Sequence, residues 1–303
     1  MRNGDYLVRA VAAEGQVRAF CCRTTGLCEE ARLRHGTWPT ATAALGRALT
    51  GAAMLGALLK REERVTLQVV GDGPLGSVVA EADAQGYVRG YVRNPQIHLA
   101  PTSEGKLDVA GAVGRNGHLY VLRDFGLKEP YRGSVPLVSG EIAEDLTYYF
   151  ARSEQTPSAV ALGVLVEVDH SVRAAGGYLL QVMPGADPSL GGELEGAVGR
   201  SGPVSGLIDS GRLPEEILAD LLGPLGVEEL GRQPLAYRCR CNREKLSRAL
   251  VALGPAELAD LAAEPNGAEL VCRFCGARYR FPPEELEQLG ESAQRPAGPP
   301  GTR

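Results

Sequence analysis

Four cysteines near the C-terminus form two short clusters whose residue types and spacing could bind a metal ion. Cys239 and Cys241 form a C-x-C pair, and Cys272 and Cys275 form a C-x-x-C pair after thirty intervening residues. Four thiolates in two close pairs are the ligand set of a tetrahedral zinc site, and a site with four protein ligands leaves no position for substrate. The C-x-C pair is one residue shorter than in ordinary zinc ribbons, so its geometry is tighter. We therefore predict one structural Zn²⁺ per chain at these four cysteines.

The residues around the cysteines predict a small zinc-binding domain over 234–289. Strands are expected over 268–272 and 277–281, with the second cysteine cluster at the turn between them. Asn242 is expected to be the N-cap of a helix between the two clusters, and Pro255 to open a second helix. The same features are typical of a zinc staple that only holds a small domain together, and the cysteines alone leave that alternative open.

The composition is that of a globular chain without membrane or nucleic-acid character. The chain has 303 residues, of which 44% are hydrophobic, and its formal net charge is −5. It has no run of about 18 apolar residues that could span a membrane, and its polar N-terminus does not resemble a secretory signal. Because the seven cysteines occur without such a signal, we expect a reducing, cytoplasmic environment and no membrane partner.

Residues 1–185 predict an α+β domain in which strand-like runs and helical segments alternate. The longest helix is expected to begin at Pro39. Asn116-Gly117 is the favoured two-residue turn of a hairpin, and 175–177 is expected to be the turn between the last two strands. Strands are expected over 6–12, 16–23, 65–70, 77–82, 87–92, 109–113, 119–123, 160–168 and 178–183, and further helices over 24–35 and 140–152.

Residues 186–233 predict a helical linker of low stability. Leu190 and Leu194 belong to a first helix, which three glycines weaken by roughly 1 kcal/mol each, and Pro214 opens another helix. A short helix of this composition must pack on another surface to be stable. The segment is either an ordinary interdomain linker or one that undocks when its neighbour unfolds. The proline-rich residues 290–303 are expected to form a disordered tail.

Other motif-like residues do not support an enzyme or a nucleotide site. Residues 71–76 match G-x-G-x-x-G, but a Rossmann site needs a helix directly afterwards and the sequence predicts another strand there. The four histidines are scattered, and no catalytic constellation can be identified from spacing. Cys21, Cys22 and Cys28 are expected to be buried, with Cys21 and Cys22 on opposite faces of one strand. Their role stays open.

Further sequence blocks accompany the cysteine clusters. Residues 140–158 contain GEIAEDL, Tyr-Tyr and SEQTPS, and 175–184 is AGGYLLQVMP. Together with YRCRC at 237–241 and CRFCG at 272–276, these blocks resemble the heat shock protein 33 family of redox-regulated, ATP-independent holdase chaperones of the bacterial cytosol. The chain departs from the family pattern at Asn242, where serine is expected after the second cysteine, and this position supplies no ligand.

The resemblance implies an N-terminal α+β chaperone domain, a helical linker packed on it and a C-terminal zinc switch. It implies that the reduced protein is zinc-bound and inactive. Oxidation would form disulfides, release zinc, unfold the C-terminal domain and expose apolar surface that holds unfolding client proteins under stress. It also implies a homodimer on activation and no nucleotide. We expect the disulfides Cys239–Cys241 and Cys272–Cys275, because proximity within a cluster survives loss of the metal.

The alternative interpretation is a zinc module that binds nucleic acid. Residues 236–281 contain eight Lys or Arg and five Asp or Glu, which gives a local charge of +3. Binding to phosphates should weaken steeply with salt, whereas client binding through apolar surface should not. We do not expect nucleic acid to be the partner. The sequence leaves open which clients bind, which oxidant acts and whether heat is also required.

Overall fold

The computed structural model describes residues 4–126 and 129–294. The chain divides into two compact units, Met1–Arg238 and Cys239–Arg303. Both units contain strands and helices, which confirms the α+β class predicted from the sequence. Among the described residues, no helix is long and apolar enough to cross a membrane.

The first unit contains two antiparallel-rich sheets and the helices that pack on them. Its strands are β1 (Tyr6–Ala12), β2 (Val17–Arg23), β3 (Arg64–Val70), β4 (Ser77–Asp83), β5 (Tyr87–Val92), β6 (His118–Asp124), β7 (Tyr131–Pro136), β8 (Ser158–Val166), β9 (Val172–Val182), β10 (Glu228–Pro234) and β11 (Ala236–Tyr237). Its helices are α1 (Thr25–His35), α2 (Pro39–Gly56), α3 (Val109–Val113), α4 (Ile142–Arg152), α5 (Ser189–Ser201), α6 (Val204–Asp209) and α7 (Pro214–Leu222). The strand orders are β10-β1-β2-β9-β8 and β11-β5-β4-β3-β6-β7.

Helix α2 lies between the two sheets and packs on strands of both. Nearly all of its residues are buried, and many are Ala, Gly or Thr, whose small side chains let both sheets come close. A helix that is apolar on every side belongs in a core rather than at a surface. Pro39 occupies its first turn, as predicted from the sequence.

The strand expected over 109–113 is wrong, because this segment forms helix α3. The Oδ1 atom of Asp108 accepts a hydrogen bond of 2.7 Å from the Gly111 N–H and so caps the helix N-terminus. A side-chain cap of this kind favours a helical turn over a strand. Asn116-Gly117 therefore joins a helix to β6 instead of forming a hairpin between two strands.

The turn expected over 175–177 is also wrong, because these residues lie inside β9. The chain turns instead between β8 and β9, at 167–171, where His170 has a positive φ of 72°. Glycine is needed within the strand for packing: a Cβ atom on Gly176 would lie 2.2 Å from the Cys22 carbonyl oxygen, and one on Gly177 would lie 2.5 Å from that of Ala161.

The linker segment packs on the first sheet, but it is not helical throughout. Its helices α5, α6 and α7 contribute buried apolar side chains to a core shared with β1, β2 and β9. The segment then ends in strand β10, which pairs antiparallel with β1 from Tyr6 opposite Pro234 to Val11 opposite Glu228. The sequence EELGRQP of β10 shows no apolar alternation, so backbone hydrogen bonding to the edge of β1 holds this strand in place.

The second unit is a small domain with its own core. Its helices are α8 (Arg243–Val251), α9 (Pro255–Ala263) and α10 (Pro283–Gln294), and its strands β12 (Ala268–Val271) and β13 (Arg278–Phe281) pair antiparallel. In the described part of this unit, the buried residues of the core cluster are Leu250, Leu258, Ala268, Phe281 and Leu286. Helix α10 extends into the segment expected to be a disordered tail, 290–303, of which residues 295–303 lie outside the described residues.

We predict that Gly192→Ala and Gly199→Ala each stabilise helix α5 by about 1 kcal/mol, because alanine loses less backbone entropy than glycine in a helix. A Cβ atom at either position would meet no other atom within 4 Å. Amide hydrogen exchange across α5 measures the effect. Gly177→Ala is the control and should destabilise the sheet, since its Cβ would collide with the backbone of β8. Unchanged or faster exchange in the two helix variants would contradict the prediction.

Candidate metal centre

The second cysteine cluster lies in the tight turn that joins β12 to β13. The Gly276 N–H donates to the Cys272 carbonyl oxygen at 2.8 Å, and the Cys272 N–H donates to the Ala277 carbonyl oxygen at 2.9 Å. Gly276 has a φ of 72°, a left-handed conformation that glycine adopts without steric cost. The turn thus places the side chains of Cys272 and Cys275 on one side of the hairpin end.

The first cysteine cluster directly precedes helix α8. The Asn242 side chain accepts a hydrogen bond of 2.9 Å from the Lys245 N–H, which confirms the predicted N-cap. The Lys245 Nζ atom also donates to the Arg240 carbonyl oxygen, at 2.9 Å. These two bonds anchor the C-x-C segment to the first turn of the helix and so orient Cys239 and Cys241.

The structure brings all four cysteines together. Their Sγ atoms lie within 4.8 Å of one another. Among the described residues, these four cysteines are the cluster of His, Cys, Asp or Glu side chains that could hold a metal ion. The Cys239–Cys272 and Cys241–Cys275 sulfur distances are 3.7 and 3.4 Å. A disulfide would need about 2.05 Å, whereas a tetrahedral zinc site with bonds of about 2.3 Å separates its sulfurs by about 3.8 Å. The donor set and its spacing fit zinc.

Hydrogen-bond donors surround the sulfurs as well. The Phe274 N–H points at the Cys272 sulfur and the Ala277 N–H at the Cys275 sulfur. The Tyr279 hydroxyl lies 3.2 Å from the Cys241 sulfur. Sequence analysis missed Tyr279, although its position in the strand that leaves the second cluster was a signal that it could reach the site.

The thiols of the second cysteine cluster, Cys272 and Cys275, are poorly suited to ionise on their own. Burial raises the pKa of the Cys272 and Cys275 thiols, and hydrogen bonding with the Cys239 sulfur raises both further. The hydrogen bond to Cys241 raises the pKa of Tyr279 to about 12, so this phenol keeps its proton at neutral pH. A bound divalent cation reverses this for the thiols, because it favours the thiolate outright.

In the described part of the second unit, acidic residues outnumber basic ones. Residues 239–294 contain seven Lys or Arg and nine Asp or Glu, because α10 adds acidic residues beyond the segment counted from sequence. Arg278 and Arg280 both pair with Glu269, at 2.6 and 3.0 Å, and Arg243 pairs with Glu285. Acidic residues of α10 therefore offset the positive charge of 236–281 that motivated the nucleic-acid alternative.

The remaining cysteines lie buried in the first unit, as predicted. Cys21 belongs to the core between the first sheet and the linker helices, whereas Cys22, the next residue of β2, points to the other face of the sheet. Cys28 lies in α1, with its sulfur 3.7 Å from the Gly46 carbonyl oxygen. Burial raises the pKa of the Cys21 and Cys22 thiols, and that of Cys28 to about 12. These three thiols are unreactive while buried.

Comparison with known proteins shows strong similarity over nearly the whole chain. The family model described as Hsp33 protein matches residues 5–282. The 33 kDa chaperonin of Geobacillus kaustophilus strain HTA426 is 50% identical over 292 residues, which is 96% of this chain and 99% of that protein. The 33 kDa chaperonin of Staphylococcus aureus strain Newman is 48% identical over 288 residues, 95% of this chain and 98% of that protein.

A solved structure is similar as well. The crystal structure of the 33 kDa chaperonin from Thermotoga maritima, a heat shock protein 33 homolog, matches with a TM-score of 0.88 and 41% sequence identity. The match covers 96% of this chain and 99% of that one. The two chains therefore share one fold over nearly all of their length.

We predict that the reduced protein binds about one Zn²⁺ per chain and that Cys272→Ser loses most of it, because three thiolates bind zinc more weakly than four. Metal analysis of the purified variants measures this. Cys28→Ser is the matched control, since it removes a buried thiol outside the cluster and should keep its zinc. Wild-type zinc content in Cys272→Ser would remove that residue from the site.

Proposed function

The chain belongs to the Hsp33 family, and on that premise we propose that it is a redox-regulated holdase chaperone that needs no nucleotide. In a reducing compartment it would bind zinc through Cys239, Cys241, Cys272 and Cys275 and be inactive. Oxidation would unfold the second unit and free an apolar surface that binds unfolding client proteins, with a homodimer as the active form. The observation that carries this proposal is the gathering of four free thiols in a unit with a very small core.

The size of that core makes metal dependence expected. Five buried apolar side chains form the core of the part of the second unit that the structure describes. A domain below about 70 residues seldom obtains more than about 3–5 kcal/mol from its apolar core, and many such domains need metals or disulfides. When bound, structural zinc adds about 10–16 kcal/mol of apparent folding free energy in small zinc-finger peptides. Loss of the four thiolate ligands should therefore unfold this unit.

Oxidation by peroxide is the proposed trigger. One thiolate attacks a peroxide oxygen, the O–O bond breaks and a sulfenic acid forms as hydroxide leaves. A second thiolate then attacks the sulfenic sulfur, an S–S bond forms and the hydroxyl group leaves as water after taking up a proton. Two sulfurs have lost two electrons and the peroxide has gained them. The cysteines can no longer act as thiolate ligands in this form.

The linker helices cover the surface that we propose for client binding. Within the first unit, α7 buries Ile217, Leu218 and Leu222, and α5 buries Leu190 and Leu194, against the first sheet. The side chains beneath them on β1, β2 and β9 are Val8, Ala10, Ala19, Cys21, Tyr178 and Leu180. Undocking of α5–α7 would expose both apolar faces, and an exposed patch of this kind binds unfolded chains.

Coupling between the two events is proposed to run along the chain itself. One residue, Arg238, separates β11 from Cys239. On its other side, β11 is connected through β10 to the linker helices. Strand β11 is two residues long and pairs with β5, while Tyr237 donates a hydrogen bond of 3.1 Å to the Gly90 carbonyl oxygen. In the proposed coupling, unfolding of the chain after this short strand would release β11, then β10 and the glycine-rich helix α5.

We predict that oxidation makes Cys21 accessible to a thiol-alkylating reagent, because this side chain lies beneath the linker helices. Cys22 and Cys28 are the internal controls: they lie on the other side of the sheet and should stay protected while the first unit remains folded. Mass spectrometry after a short alkylation pulse measures all three sites in one sample. Equal labelling of Cys21 and Cys22 would indicate general unfolding, and no labelling of Cys21 would contradict linker undocking.

We predict disulfides within each cluster, Cys239–Cys241 and Cys272–Cys275, in the oxidised protein. The folded sulfurs also approach across the clusters, at 3.7 and 3.4 Å, but only the short sequence separation survives unfolding. The C-x-C ring is smaller and more strained, so it should reduce more easily than the C-x-x-C ring. Peptide mapping after mild oxidation decides the pairing, and mainly cross-cluster bonds would contradict it.

We predict that a chain ending after Arg238 suppresses aggregation of a thermally unfolding client in reducing buffer and without ATP, at least in part. This end point retains β10 and β11, whereas an end after Gln233 also removes the buried Leu235 and Tyr237. The shorter chain should therefore be the more active of the two. Light scattering of the client measures activity, with the reduced full-length protein as the inactive control.

A folded, reduced chain ending after Arg238 that keeps Cys21 protected and does not suppress aggregation would contradict the proposed switch. The zinc site would then be a staple for the second unit only.

A further inference from the structure

Tyr279 contacts the metal centre but takes no part in the oxidation steps proposed above. It lies in β13, opposite Leu270 of β12, and its ring packs partly buried against the core of the second unit. Its hydroxyl oxygen lies 3.2 Å from the Cys241 sulfur. It is the single tyrosine after Tyr237 in the sequence.

The direction of this hydrogen bond follows from the chemistry of the two groups. A sulfur that acts as a metal ligand is a thiolate and has no proton to donate, so the phenol O–H must be the donor. The Cys272 and Cys275 sulfurs accept hydrogen bonds from backbone N–H groups of the turn itself. The donor to Cys241 is a side chain, so a single substitution can remove it without altering the backbone.

We propose that Tyr279 is a positioning residue that slows oxidation of Cys241 and so helps to set the oxidant concentration at which the switch acts. This inference rests on the proposed function. A hydrogen bond to a thiolate occupies electron density on sulfur that would otherwise attack the oxidant. Groups that hydrogen-bond to metal ligands tune such sites in general.

The step on which Tyr279 acts is the first attack of a thiolate on peroxide. The Cys241 sulfur would supply the electron pair and the O–O bond would break. The sulfur would become a sulfenic acid and hydroxide would leave. Condensation with a second thiolate then forms the disulfide and releases water. Because the hydroxyl contacts Cys241 and the backbone donors contact the second cluster, Tyr279 affects the order in which the cysteines react.

The test is Tyr279→Phe in the full-length, zinc-loaded protein, treated with hydrogen peroxide. Time-resolved differential alkylation and mass spectrometry give the oxidation rate of each of the four cysteines, and a chromogenic chelator gives the rate of zinc release. We expect the rate of Cys241 relative to Cys272 to rise about tenfold, the lower end of the effect typical for residues that support metal ligands. Zinc release should begin at a lower peroxide concentration.

Leu270→Ala is the matched control, because it removes packing opposite Tyr279 and leaves the hydroxyl in place. It should speed oxidation of the four cysteines alike and leave the Cys241 to Cys272 ratio unchanged. If Tyr279→Phe only weakened packing, it too would speed oxidation of all four cysteines and leave the Cys241 to Cys272 ratio unchanged. This result would overturn the inference. An unchanged ratio with unchanged rates would overturn it as well.

The same experiment separates this inference from the proposed function. Wild-type protein that neither oxidises its four cysteines nor releases zinc with peroxide would refute the redox switch and the role of Tyr279 together. Wild-type protein that does both, beside a Tyr279→Phe variant with the wild-type ratio, would refute the role of Tyr279 alone.

Discussion

Four sulfur atoms within 4.8 Å of one another impose the constraint on which the C-terminal unit depends. As thiolates without a cation they would repel one another, and as thiols they are partly buried groups with weak hydrogen-bonding capacity. Two arrangements satisfy them well: coordination of a metal ion, or oxidation to disulfides. Because the apolar core of the described residues is small, the proposed switch depends on the state of the sulfurs to keep the unit folded or to unfold it.

The two arrangements cross-link the chain very differently. A metal ion would join clusters separated by thirty residues, whereas the proposed disulfides close rings of only a few residues. Loop-closure entropy makes a cross-link across about thirty residues worth about 4 kcal/mol and one across three or four residues less than about 2 kcal/mol. Exchange of one for the other would therefore remove most of the long-range restraint, even though the number of bonds to sulfur hardly changes.

The linker contains one helix that is well packed, α7, and one of low intrinsic stability, α5. Helix α7 buries several large aliphatic side chains on the first sheet, while α5 contains Gly191, Gly192 and Gly199, where a Cβ atom would meet no neighbour. Packing does not require glycine at these positions, in contrast to Gly176 and Gly177 in β9. The α5 glycines lower helix stability although packing does not require them, and this property agrees with the proposal that the segment leaves its docking surface.

Local chemistry allowed the sequence by itself to determine the cysteine cluster, the Asn242 cap and the helices that begin at Pro39 and Pro214. Spacing, capping and proline geometry act over a few residues, so they can be recognised from the sequence alone. Only the tertiary structure decided that 109–113 is a helix, that 175–177 lies within a strand, and that EELGRQP pairs with β1. It also decided that Tyr279 reaches Cys241 and that Cys21, rather than Cys22, faces the linker. Each of these depends on partners far away along the chain, and no local preference encodes which distant edge, sulfur or face a residue will meet.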